Sequence, residues 1–190
     1  AELERVANHL SDLGGIANDV AYVVGAAEFA RWKEVVHQLA DALFGHRWLR
    51  GVCVPGGVRR DLDDTQQQWL RSVLAEVRTG VGLTSRAMLA NEAVLDRVAA
   101  TGVLTRTAAL DLAATGPVAR ASGVDRDVRR DHPYAFYKEL DFQVVCREAG
   151  DVRARFEVKT DEVFESINLI DQLVPRMPGG PLVQHLGALP

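Results

Sequence analysis

The chain has 190 residues, a formal net charge of −4 at pH 7 and a pI near 5.7, so it lacks the basic face that nucleic-acid binding requires. Its 47% hydrophobic and 25% charged content is that of a folded domain with a sizeable core. The longest apolar run, residues 20–27, is too short to cross a bilayer, and the opening AELERV has neither the basic nor the apolar region of a signal peptide.

Apolar or small residues at Leu3, Val6, Ala7, Leu10, Leu13, Gly14, Ala17, Val20, Ala21 and Val24 repeat at helical spacing and predict an amphipathic helix of about six turns. Periodicity that starts at once, without an initiator Met, reads as a piece of a longer chain. A second helix is predicted over 28–43, through Phe29, Trp32, Val35, Val36, Leu39 and Leu43, with Gly45 as its stop and an antiparallel turn around Gly25. Residues 47–62 read as a loop in which Pro55-Gly56-Gly57 excludes a regular element. Asp63 or Asp64 can cap a third helix through Trp69, Leu70, Val73, Leu74 and Val77. Gly80 and Gly82 interrupt the pattern before a further helical stretch over 84–99. Thr105 caps a short helix closed by Gly116-Pro117, and the segment from Arg120 follows as a loop.

Residues 141–158 carry two periodicities. Phe142, Val144 and Cys146 alternate as in a strand, and so do Val152, Ala154, Phe156 and Val158. Yet Val152, Phe156, Val163, Ile167, Ile170 and Val174 form a helical stripe, and periodicity alone leaves both open. The reading adopted is a short extended piece over 141–147 and a long helix from Asp151 to about Met177, stopped by Pro178-Gly179-Gly180-Pro181. The fold class is mainly α: a helical bundle with irregular loops and at most a short strand pair near 141–158, with 1–177 as one helical region and 178–190 as a tail or truncated linker.

The chain has no GxGxxG, P-loop, HExxH or GxSxG motif. His9, His37, His46, His132 and His185 lack metal-ligand spacing and read as surface or packing residues. Cys53 and Cys146 stand alone, define neither a disulfide nor a metal site, and suit a reducing compartment. Asn8, Asp12, Gly15 and Asp19 share one stripe of the first helix, which is either a solvated face or one that points Asp19 into a cavity as a proton carrier. Residues 120–137, RASGVDRDVRRDHPYAFY, also have two readings. Their charges form exposed ion pairs worth little, or they pair internally to fix a loop anchored by Tyr134, Phe136 and Tyr137, which can wall a site built from other segments.

Four stretches occur in order: ERVANHLSDLGGIANDVAY, GHRWLRGVCVPGGVRRDL, GPVARASGVDRDVRRDHPYAFY, and GDVRARFEV followed by ESINLIDQLVPRMPGGP. From Ala1 to about Pro181 they make the chain resemble the large subunit of energy-converting nickel–iron hydrogenases of the formate hydrogenlyase subunit 5 type. It equally resembles the quinone-reducing 49-kilodalton-type large subunit of respiratory complex I (NADH:quinone oxidoreductase). The resemblance implies a mainly helical bundle, an ordered 120–137 loop near a redox site, and one long helix after Gly150. It implies an oxidoreductase working as part of a membrane-associated complex, peripheral on the cytoplasmic face, with an iron–sulfur small subunit and membrane subunits as partners. Hydrogenase members hold nickel with two CxxC pairs, and this chain has neither; Cys53 and Cys146 do not match ligand positions. The expectation is therefore no cofactor in this chain and no hydrogenase activity alone, with a Ni–Fe centre or a quinone belonging to the intact subunit. Asp19 matches the acidic residue that supports a quinone-contacting histidine in complex I members, which makes it the candidate proton relay or quinone-site support. A non-catalytic helical interaction module that keeps the scaffold is the competing reading. Self-association of the excised piece through apolar surface is also expected.

Overall fold

A computed structural model describes residues 1–184. Helix α1 (Glu2–Asp19) buries Leu3, Val6, Leu10, Leu13 and Ala17, the apolar stripe read from the sequence. The chain then reverses within residues 20–22, where Tyr22 N–H donates to the Ala17 carbonyl and Ala21 adopts a left-handed φ of +61°. Helix α2 (Val23–Phe44) starts earlier than predicted, so Gly25 lies inside it and not at the turn. The first turn of α2 exposes Val23 and Val24, and the core signal begins only at Phe29. Phe29, Trp32, Val36, Leu39 and Leu43 enter the core, and Gly45 ends the helix in a left-handed conformation that lets its N–H reach the Asp41 carbonyl.

The loop that follows contains a two-stranded antiparallel hairpin, β1 (Cys53–Val54) and β2 (Gly57–Val58), where no regular element was expected. Pro55 and Gly56 create it: Pro55 fixes one central turn position, and Gly56 at φ +89° takes the positive φ that a type II turn demands at the next. The Leu182 carbonyl accepts from Val58 N–H and the Gly56 carbonyl from Gln184 N–H, so residues 182–184 lie against the hairpin. Residues 185–190 of the tail, with His185, fall outside the described residues.

Helix α3 (Asp64–Leu89) opens with a capping box in which the Asp63 carboxylate accepts from Gln66 N–H and the Gln66 side chain accepts from Asp63 N–H. It runs unbroken through Gly80 and Gly82. Gly80 is a contact site: a Cβ there would lie 1.9 Å from the Trp32 ring. Asn91 caps α4 (Glu92–Val98) and Thr105 caps α5 (Arg106–Asp111) through their side chains. Gly116-Pro117 opens α6 (Gly116–Ala121) and does not close α5, because proline at the start of a helix gives up only an N–H that has no partner there. The Asp127 side chain caps α7 (Val128–Asp131), and a 3-10 turn follows at Tyr137–Glu139.

Helix α8 (Val152–Leu173) settles the 141–158 ambiguity for the helical stripe and continues as a 3-10 turn over Val174–Arg176. The segment before it forms no strand pair, since side chains of α8 take its backbone donors. Asp141 N–H reaches Gln172 and Gln143 N–H reaches Glu165, each at 3.0 Å. Helix α8 runs antiparallel to α1, with Lys159 paired to Asp12 and Glu162 to His9. The core lies between α1, α2, α3 and α8, where Phe29 meets Phe156 edge-on at 6.0 Å.

Candidate functional site

The centre of interest is a buried cluster of charges between α1, α8 and residues 120–137. Glu162 occupies an inward position of α8 among Val158, Val163 and Ser166 and is 1% exposed. One of its oxygens accepts from His9 Nε2 and the other from Arg120 Nε, both at 2.6 Å, and Arg120 Nη2 also bonds the latter. Arg120 additionally donates to the Arg126 carbonyl at 3.1 Å, which draws the following loop onto the bundle. The second half of the cluster centres on Arg129. Its Nε and Nη2 bind both Asp127 oxygens, at 3.0 and 2.7 Å, and its Nη1 meets Glu2 at 3.2 Å. Tyr137 donates its hydroxyl to Glu2. The Arg129 guanidinium also lies 4.8 Å from the Phe142 ring centre. Arg5, at the margin, faces Glu2 at 3.5 Å and Glu162 at 3.8 Å.

Bidentate guanidinium pairs satisfy several buried donors and acceptors at once, which makes this network compatible with burial. Burial opposes ionisation of Glu162, but the bonds from His9 and Arg120 outweigh it and hold the carboxyl below its usual range. For Asp127, burial is likewise outweighed by the bonds from the Arg129 side chain and backbone, and its carboxyl is also held low. Burial and the bond to Glu2 push the Tyr137 hydroxyl well up, so it stays a donor. Because an ionised Glu162 can only accept, His9 Nε2 carries the proton in that bond.

Of the two readings of 120–137, the ordered loop holds for Arg120, Asp127, Arg129 and Tyr137. The exposed-pair reading holds for Arg130, whose partners Asp125 and Asp131 lie at the surface. Tyr134 and Phe136 are about half exposed and do not anchor the loop in the core. His9, expected as a surface or packing residue, is a buried partner of Glu162, and no motif marks Glu162 itself. The available signal was an acidic residue set in the apolar stripe of α8. Asn8, Asp12, Gly15 and Asp19 all lie on an exposed face of α1, with Asp19 as its last residue. Asp19 and Glu2 thus stand at opposite ends of α1, about 25 Å apart at 1.5 Å per residue.

Beside the cluster, at the N-terminal end of α1, is an apolar cavity of about 550 Å³ whose walls include Leu3, Leu49, Leu70, Phe136, Ile170 and Val174. Glu2 and Tyr137 bring its polar groups. Thiolate ligation of nickel does not fit this chain. Cys146 has its thiol pushed up by burial and by Asp125, Cys53 sits apart on β1, and no group of three potential ligands converges among the described residues.

A four-helix core tied to a long loop by buried ion pairs defines a helical framework unit, and similarity to known proteins places it. Residues 19–188 match the family described as respiratory-chain NADH dehydrogenase, 49 Kd subunit, and the chain belongs to that family. It is 38% identical over 181 residues to the D 2 subunit of NADH-quinone oxidoreductase from Rhizobium meliloti, covering 95% of this chain and 45% of that protein. To formate hydrogenlyase subunit 5 of Escherichia coli it is 33% identical over 182 residues, covering 96% of this chain and 32% of that one. Among solved structures it is similar to a chain of the membrane-bound sulfane sulfur reductase, an archaeal respiratory membrane complex. There the TM-score is 0.88 at 30% identity, over 97% of this chain and 50% of that one. The chain therefore spans about half the length or less of these relatives.

Proposed function

We propose that this chain is the helical framework of the large subunit of a membrane-associated quinone-reducing oxidoreductase, and that it is inactive alone. The family match over 19–188 carries the reading. The quinone branch is preferred because the matching family is the NADH dehydrogenase 49 Kd subunit and the NADH-quinone oxidoreductase relative is 38% identical against 33% for formate hydrogenlyase subunit 5. The buried cluster holds residues 120–137 against α1 and α8, a rigid support for a cavity completed by other segments and by an iron–sulfur partner subunit. No described helix is long and apolar enough to cross a membrane, and the proposed association is peripheral, on the cytoplasmic face, through membrane subunits.

Within that framework Asp19 is the proton relay or hydrogen-bond support of the quinone site. The resemblance supports the assignment, since Asp19 matches the acidic residue of the quinone site in complex I members. A carboxylate at the end of α1 faces the partial negative charge of the last carbonyls, and no basic residue in the last turn offsets it. Helix stability therefore does not account for an acid there. In the intact complex, Asp19→Asn is expected to lower quinone-reductase turnover by on the order of 10²-fold, with the complex still assembled. Undiminished turnover removes Asp19 from the mechanism. Nickel bound stoichiometrically to the intact subunit moves it to the hydrogenase branch, and neither nickel nor quinone turnover leaves the interaction-module reading.

A further inference from the structure

Two proline–glycine stretches of the sequence, Pro55-Gly56-Gly57 and Pro178-Gly179-Gly180-Pro181, play no part in the proposed function. The fold brings them together. Residues 178–184 run exposed from the end of α8 to the hairpin, where Val183 pairs antiparallel with Gly57. Val58 N–H donates to the Leu182 carbonyl and Gln184 N–H to the Gly56 carbonyl, each at 2.9 Å. Gly57 is what admits this crossing segment. Gly56 supplies the positive φ of the turn and Gly57 takes none, so the turn itself does not demand a glycine at 57. The space does. A Cβ there would collide with the Leu182 carbonyl oxygen and stand 3.1 Å from the Val183 Cα. A glycine with no conformational duty, set under a crossing backbone, marks a close approach that the sequence is built to keep.

Both ends of this link belong to the apolar cavity. Val174 and Met177, at the end of α8, form one part of its wall, and Gly51, Val52 and Cys53, leading into β1, form another. The hairpin has two residues per strand, too few to hold its shape alone. We infer that residues 178–184 are a strap that keeps the hairpin, and with it residues 51–53, in place as a wall of the cavity, with Gly57 as its seat. Docked, the strap passes any shift at the end of α8 to that wall. Released, the hairpin loses its support and the cavity opens on that side. Between its two ends the strap is unclamped, since a Cβ at Gly179 or Gly180 would meet open space. The device does not depend on the chemistry of the intact subunit.

Amide hydrogen exchange, followed residue by residue by NMR in the full 190-residue chain, tests the strap. Gly57→Ala crowds its seat, and Gln184→Pro removes its own donor. Each variant is expected to speed exchange at Val58 N–H, which bonds the strap, by about tenfold. Arg59 N–H is expected to follow by a similar factor, although it bonds Val52 within the wall and not the strap. The double variant should exchange as fast as either single one, because both release the same contact. Amides of buried residues in α1 and α8, such as Leu10 and Val163, stay protected. Faster exchange at Val58 with Arg59 unchanged overturns the inference, because the strap then supports nothing. An unchanged Val58 amide in Gly57→Ala does the same, since Gly57 is then no seat. So does loss of protection across the core, which would make residues 178–184 part of the fold's foundation.

Discussion

Glu162 shows how one buried side chain can organise a region. Its carboxylate is enclosed by α8, α1 and α6 and receives His9 and Arg120 directly. Removing the Glu162 charge strips buried Arg120 of its nearest counterion and leaves it only Asp127 at 3.9 Å. Glu162→Gln is therefore expected to destabilise the chain by about 3–5 kcal/mol, measured as a lowered urea midpoint with unchanged slope. Combining it with Arg120→Met should recover part of the loss, since the stranded cation is removed too; simple additivity of the two costs would count against direct coupling. Gly80 illustrates a second kind of constraint. Its missing side chain is what admits Trp32, so a residue that looks like a helix breaker is a packing residue.

At the scale of elements, the long helices were legible wherever one face is buried along its whole length. Leu3 to Ala17 and Phe156 to Ile170 are of this kind, and their stripes named the core. The start of α2 was not legible because Val23 and Val24 are apolar yet exposed, which breaks the link between hydrophobicity and burial. The hairpin at 53–58 and the opening of α6 were hidden for another reason. Both follow from how proline and glycine are placed in a turn or a helix start, and a simple reading as breakers misses that. The buried cluster was half legible. Alternating charge from Arg120 to Asp131 announced pairing, but Glu162, the partner of Arg120, and Glu2, the partner of Arg129, lie far away in sequence. Asp151 is the cap that begins α8: one oxygen accepts from Ala154 N–H and the other from Ala100 N–H, both at 2.7 Å. Asp151→Ala loses the cap and the tie to the loop after α4, at an expected cost of about 1–2 kcal/mol. Calorimetry should place that loss in a lower Tm, and an unchanged Tm would show that the cap is dispensable.

For the whole molecule, the cluster sets an acid limit. Glu162 and Asp127 have folded-state carboxyls held below their ordinary values of 4.5 and 3.8. Their contribution is fully present above those values and disappears as the pH falls through the lower folded ones. Asp161 acts in the opposite sense, because burial raises its carboxyl despite Arg147, but its side chain is 39% exposed and its contribution is correspondingly small. The unfolding midpoint is therefore expected to stay level from neutral pH to about 5 and to drop steeply below about 4.5. A midpoint that held to about pH 3 would show that the ion pairs add nothing net to stability.

The seating of Trp32 on Gly80 has an optical consequence. Trp48 and Trp69 stand about half in water, at 53% and 44% exposure, while Trp32 is shielded at 8%. Replacing the first two by Phe leaves a single indole whose fluorescence maximum reads the α2–α3 seam from inside. The same protein then reports, in colour and without a label, when its bundle opens and water reaches that ring.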